Sequence, residues 1–482
     1  MSGKVIVLEL NELSPALMSR FIDSGFLPNF KRLRDESVVA ISDAHEEPPA
    51  LEPWIQWISV HTGLTYRQHK VFHLGDGESH TAKRTWDYVA DSNLNAWVCG
   101  SMNGSATAER RENVHILPDP WSHGVRPRPA ASFKDYFDFV RTYVQEHTRP
   151  RAPLTLREYA RFARFMLANG LSASTVKATL LQLAGELVRT RERWRRAAIM
   201  DRLQWDVFVS FYRKLHPEFS TFFLNSTAHY QHYYWRNMEP DRFALKDTAE
   251  RQAEYRDAIP FGYRSMDRIV GECLALAHPD TSVVLATALS QQPMTTYELD
   301  GGKQVFRPRD IGQLTRFAGI RTSYEFLPVM AEEFHLAFST HADAVEAQGK
   351  LASLHTADGR AVMSLQLSEN RLFGGCNITR QPQVDALVFN RLKARSRRFQ
   401  ELFYGVTGIK SGMHHPDGIL WIRLPSKIRS HEVLRRRIPI EEIGATLLEL
   451  CGISTRAVKY PAPPMPEIME LLQPSTRLRA VG

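Results

Sequence analysis

The run from Lys4 to Leu10, KVIVLEL, is nearly continuous in apolar β-formers, and it constrains the fold more than any other segment. A strand that is apolar at both parities must be covered on both faces, as in a parallel sheet with helices above and below. Ser14-Pro15 follows at once as a cap and first-turn pair, and Gly25 closes the helix ALMSRFIDSG. The alternation continues. A helix around Asn29 to Arg34 leads to a strand near Val38 to Ile41, and helices around Trp54 to Thr62 and Thr85 to Ala90 lead to a strand at Ala96 to Cys99. This order predicts a doubly wound α/β sheet with helices on both faces.

The pattern is interrupted twice. Residues 1–130 read as the first part of the α/β core, and 131–214 as a helical insertion rich in Arg, Leu and Ala. The core resumes over 215–292 with the strands TFFL and SVVLAT, and 293–404 reads as a small inserted α+β cap. Residues 405–460 close the core with ILWIRL and EEIGATLLELCGI, and 461–482 read as a loose, Pro-rich tail.

With 43% hydrophobic and 24% charged residues, the chain is neither disordered nor fibrous. A net charge of +8 suits an anionic ligand or an acidic surface but is too dilute over 482 residues to argue for nucleic acid. Four cysteines without CxxC spacing exclude a disulfide scaffold and a Cys-type zinc site, which fits a reducing compartment. No export signal follows Val5 to Leu8, and no run approaches the ~20 apolar residues of a membrane span. The expectation is a cytoplasmic protein able to touch a membrane surface, of open oligomeric state. The runs RTRERWRR and RLKARSRR read as solvated faces, with an anionic polymer or lipid surface as the alternative.

Six segments, in order, resemble the alkaline phosphatase superfamily, in particular its type I phosphodiesterase/nucleotide pyrophosphatase branch. They are VIVLELNELSPALMSRFIDSGFLPNFKRL, WIQWISVHTGLTYRQHKVF, HYQHYYWR, YRSMDRIVGECLALAHPDTSVVLATALS, SGMHHPDGILWI and IEEIGATLLELCGI. The insertion and the cap are not covered. The resemblance implies an α/β phosphoesterase fold with two metal ions, usually zinc, held by Asp and His around a Thr or Ser nucleophile.

Carried over residue by residue, most of that machinery is missing. The first metal-binding Asp falls on Asn11, and the nucleophile falls near Glu52-Pro53, where there is no hydroxyl. The Asp of the third motif falls on Ala228, and the Asp-His pair on Ala288 and Leu289. Two imidazoles remain, His232 and His414. Two imidazoles alone make a poor zinc site, so no metal is expected, with a single divalent ion on His232 and His414 as the fallback and Glu12, Glu52 or His229 as third ligand.

Glu52, Asn11, His232 and His414 are therefore the candidate catalytic residues, with Glu52 as general base. His229, His415, Glu12, Ser290 and Gln291 are candidates for substrate contact. Glu9 and Glu12 flank Asn11 at the carboxyl end of a strand, where open α/β sheets place their ligands, and strand alternation lets at most one face the pocket. The expected ligand is an anionic small molecule: a phosphate, nucleotide or sugar phosphate. Three activities follow as alternatives: phosphoester cleavage with a reduced metal site, metal-independent transfer from an activated sugar or nucleotide, and binding without catalysis.

Overall fold

The computed structural model describes residues 3–104, 111–145, 154–188, 190–330, 333–406 and 408–473. Its centre is a mixed sheet in which β1 (Lys4–Leu10) lies between β5 (Phe219–Leu224) and β6 (Thr281–Ala286), parallel to both. β3 (Ala96–Cys99) pairs with β5 and β4 (Val114–Leu117) with β3, again parallel. On the other side, strand Asp417–Arg423 runs antiparallel between β6 and β2 (Val38–Asp43), which makes the sheet mixed.

Alternation along β1 explains its composition. Ile6, Leu8 and Leu10 face helices α1 (Pro15–Asp23), α2 (Pro28–Asp35) and Ala258–Leu276. Val5 and Val7 face the other layer, with Trp57 of α3 (Pro53–Thr62), Trp86 and Leu447. The expected α/β architecture, with helices on both faces, is present.

Part of the presumed insertion belongs to the sheet. Helices Ala130–Gln145 and Arg196–Leu215 cover it, with Phe133 stacked on Trp97 at 5.3 Å and Phe208 beside Phe222. They are the crossover that returns the chain from β4 to β5, and crossovers of this kind bury their own apolar stripe. Helices Leu156–Ala168 and Ala173–Val188 stand further out. The C-terminal segment also differs from the loose tail expected. Helix Pro466–Leu472 packs Ile468, and Met465 before it, into the second layer; residues 474–482 of the expected tail lie outside the described residues.

The cap has its own four-stranded antiparallel sheet and its own apolar core, with Phe334, Leu336 and Leu351 fully or almost fully buried. It docks on the sheet domain through histidines. His335 of the cap meets His73 at 5.0 Å between ring centres, and both contact Phe373. Burial, followed by the charges of His73, Arg371 and His123, pushes the His335 imidazole down to about 3. His69, which starts the loop toward His73, is likewise pushed down to about 3 by burial and by His80 and Arg84. His69 accepts from the Val71 N–H through Nδ1, so a proton there would face a donor.

Both imidazoles are neutral when folded and gain protons near 6.5 when unfolded, so acid favours unfolding over the window from pH 6.5 down to about 3. We expect stability to fall by about 2–3 kcal/mol per histidine between pH 7.5 and 4.5. His335→Leu should flatten that dependence in melts recorded across this range; an unchanged slope would show that the cap interface is not the acid-sensitive element.

Candidate metal centre and anion pocket

Each strand of the parallel core ends at the same edge, and the site is built there. β1 ends at Leu10, and the chain then turns out of the sheet with Glu12 in the left-handed region at φ 63°. That turn carries the Glu12 carboxylate away from the line of Glu9. Glu9 stays inside, bonded to His61 Nε2 at 2.8 Å and to the Ser101 hydroxyl at 2.7 Å.

His232 comes from helix Ser226–Met238, which begins just after β5. His414 comes from strand Gly412–His415, paired antiparallel with β7 (Ser290–Pro293). Gly412 is required at the crossing, because a Cβ there would overlap the Gln231 carbonyl. The two imidazoles meet with ring centres 5.1 Å apart. His232 Nε2 lies 3.2 Å and His414 Nε2 3.3 Å from the same Glu12 oxygen, Oε2.

The outer nitrogens fix the tautomers. His232 Nδ1 donates to the Gly412 carbonyl at 3.2 Å, and His414 Nδ1 donates to the Leu51 carbonyl at 2.8 Å. A carbonyl can only accept, so both Nδ1 atoms carry protons, and in the neutral rings both Nε2 lone pairs point inward. His414 Nε2 is buried and has no aligned hydrogen-bond partner. Two imidazole lone pairs and a carboxylate therefore converge, their ligand atoms all within 4.8 Å of one another. Tetrahedral ligands at ~2.0–2.1 Å from zinc sit about 3.3 Å apart, so the donor set fits a three-ligand site.

In the protein alone, charge is balanced by protons. Burial works to raise the Glu12 carboxyl, but the charge of His414 and, when Nε2 carries a proton, the contacts of both imidazoles outweigh it and hold it well below the usual carboxylate range. Burial and Lys410 push His232 down, against the pull of Glu12. His414 is opposed by burial but raised overall by Glu52 and Glu12.

The sequence candidates separate into two tiers. Glu12, Glu52, His229, His232 and His414 line one cavity of about 640 Å³ between sheet edge and cap. Glu52, extended at the start of α3, places its carboxylate 3.5 Å from His414 Nδ1. Asn11 and Gln291, expected to act on substrate, lie beneath the cavity instead. Asn11 Nδ2 donates to Glu12 Oε1 and to Asn225 Oδ1, both at 2.7 Å, while its Oδ1 accepts from Trp57 Nε1. Gln291 donates to Glu12 Oε2 and, at 3.0 Å, to the Ala228 carbonyl. Ser290 and His415 are opposite each other in the register, one residue out of phase with the Gln291–His414 pair, so alternation turns them to the other face. Neither lines the cavity.

Three cations missed by the sequence reading do line it: Lys303, Arg307 and Lys410. Arg307 Nη2 donates to the Met330 carbonyl at 3.4 Å, and its Nε is buried without a hydrogen-bond partner. Lys410 stands four residues before His414, close enough to the fifth motif to have been noticed; Lys303 and Arg307 belong to the cap, which no motif covered. Asn225 was also missed, although it follows β5 directly at the carboxyl edge of the sheet.

Asn11→Ala would leave Trp57 Nε1, Asn225 Oδ1 and Glu12 Oε1 short of a partner. The expected cost is about 1–3 kcal/mol, read as a lower melting temperature in chelator-treated protein. An unchanged melt would show that water replaces the amide.

No family model matches the chain, and no curated protein does. Among solved structures, it is similar to phosphonoacetate hydrolase from Sinorhizobium meliloti 1021, in complexes with phosphonoformate and with phosphonoacetate. In both cases the TM-score is 0.43 and the identity 11%, over 93% of this chain and 96% of that one. Identity that low leaves the chemistry to be read from this chain's own residues.

Proposed function

We propose that this chain is a divergent member of the alkaline phosphatase superfamily, and that its pocket holds one divalent cation and turns over a phosphate-bearing anionic small molecule. The observation that carries this is the convergence of three acceptors, Glu12 Oε2 and the two Nε2 atoms, with both imidazoles locked by backbone carbonyls on their outer nitrogens. Ligating histidines are held in this way, and two His with one Glu is a donor set of catalytic zinc. The expectation of an empty site counted only the imidazoles; Glu12 supplies the third ligand that the fallback required.

A divalent cation at this point supplies Lewis-acid polarisation of a phosphoryl oxygen. The protein's own residues do the rest. Lys303, Arg307 and Lys410 neutralise the anion. Glu52, at the rim, takes the proton of the attacking hydroxyl as its oxygen bonds to phosphorus; the P–O ester bond breaks, and the leaving oxygen keeps the electron pair and is protonated from solvent. Among the described residues that line the cavity there is no Ser or Thr, which favours direct transfer to water or an acceptor over a covalent enzyme ester. Trp54, Phe72 and Phe373 on the cavity wall offer faces for a nucleobase, which supports a nucleotide over a bare sugar phosphate.

Elemental analysis of protein purified without chelator should give one equivalent of zinc or a similar divalent metal, lost in Glu12→Gln, His232→Ala and His414→Ala. No metal, or two equivalents, would refute the single centre. Against a panel of nucleotides and phosphodiesters, Glu52→Gln should lower turnover by about a hundredfold or more with metal content unchanged. Full activity in that variant would remove Glu52 from the chemistry.

A further inference from the structure

Helix Ala173–Val188 is almost uncovered on its outer side. Val176, Leu180, Leu183 and Leu187 recur at spacings of four, three and four residues, so they form one stripe, and all are exposed. Leu181 and Val188 widen it, and Leu187 and Val188 are 88% and 84% exposed. A polar solvent contact for so many aliphatic side chains on one helix is unfavourable by about 25 cal/mol per Å².

The charge around the stripe has one sign. Between Leu154 and Arg196 the sequence holds nine basic residues against three acidic, so this segment carries six of the chain's net eight positive charges. Lys177 on the helix and Arg191 and Arg193 just after it are exposed. The acids are occupied: Glu186 is bound by Arg196 Nε at 2.9 Å, Glu192 by Arg195 at 3.3 Å, and Glu158 caps its own helix through Thr155.

We infer that this helix is a docking surface for an anionic lipid bilayer, on which it lies flat. Sixteen residues make a helix of about 24 Å, too short to cross the ~30 Å hydrocarbon core. No helix among the described residues is long and apolar enough to span a membrane. An apolar stripe flanked by Lys and Arg is instead the pattern of an interfacial helix, with leucines in the acyl boundary and cations at the lipid phosphates. The surface is linked to the pocket. Trp194, in the turn after the helix, accepts through its carbonyl from the Tyr230 hydroxyl at 2.9 Å, and Tyr230 lies on the helix that carries His229 and His232. The assignment does not depend on the metal centre.

The test is co-sedimentation of the full chain with vesicles of phosphatidylcholine alone or with 30% phosphatidylserine, at about 0.05 and 0.5 M salt, where screening differs several-fold. Binding is expected only to the anionic vesicles at low salt. Leu180→Asp with Leu187→Asp should lower the partition coefficient by at least about tenfold, and Arg191→Glu with Arg193→Glu by a similar factor. Both leucines are exposed, so the fold is unaffected, and an unchanged far-ultraviolet spectrum checks this. Equal binding of wild type and variants, or no binding to anionic vesicles, overturns the proposal. So does a wild-type dimer in light scattering that the leucine variant makes monomeric, since the stripe would then seat a second copy.

Discussion

A carboxylate with almost no exposed surface, placed at the end of a parallel strand, is the constraint on which the site depends. Glu12 can be buried there because each of its oxygens has a partner: Asn11 on Oε1, and Gln291 with the two imidazoles on Oε2. An uncompensated charge in that position would cost several kcal/mol, so every partner is held in turn. Asn11 is clamped between Trp57 and Asn225, and the Glu12 carbonyl accepts from Gln231, whose own amide oxygen accepts from Tyr263. Strands, α3 and the helix bearing His232 are thereby tied to one point.

Electrostatics around that point is graded rather than uniform. Negative charge lies at Glu12 and Glu52, against the imidazoles, and the cap side carries an excess of positive charge, Lys303, Arg307 and Lys410 against the carboxylate of Glu333. Such a gradient draws an anion toward the imidazoles from the cap side while the carboxylates keep it off the sheet. The cap therefore does more than cover: it supplies Lys303 and Arg307, and its histidine contacts with the loop around His73 set how it sits.

How far the site could be read from sequence follows from which residues carry local signals. His232 and His414 were found because each follows a recognisable strand or helix signal in a fixed order. Glu52 was found by counting back from Thr62-Gly63 to the start of a helix. Glu12 was named as a substrate contact and as one of three possible third ligands beside Glu52 and His229, but alternation says only that it and Glu9 point differently and does not say which one faces the pocket. The left-handed turn at Glu12 decides it, and a glutamate gives no sign of that conformation in sequence. Asn11 was counted among the catalytic candidates because the motif order put it at a metal-ligand position; only the packed neighbours Trp57 and Asn225 show that its amide is fully used beneath the cavity.

The amino-acid order sets the sheet and its two helical layers, because hydrophobic periodicity is a local property and burial on both faces leaves a continuous apolar run. It also determined the excess of arginine and leucine between Leu154 and Arg196. Tertiary structure decided everything that depends on two distant segments meeting: that helices Ala130–Gln145 and Arg196–Leu215 belong to the sheet, that Glu12 shares one oxygen with His232 and His414, that the cap lends two cations, and that the leucines of helix Ala173–Val188 are left exposed among the described residues. Those are matters of which surfaces remain after packing, and a one-dimensional pattern records what a side chain prefers, not what the rest of the chain leaves beside it.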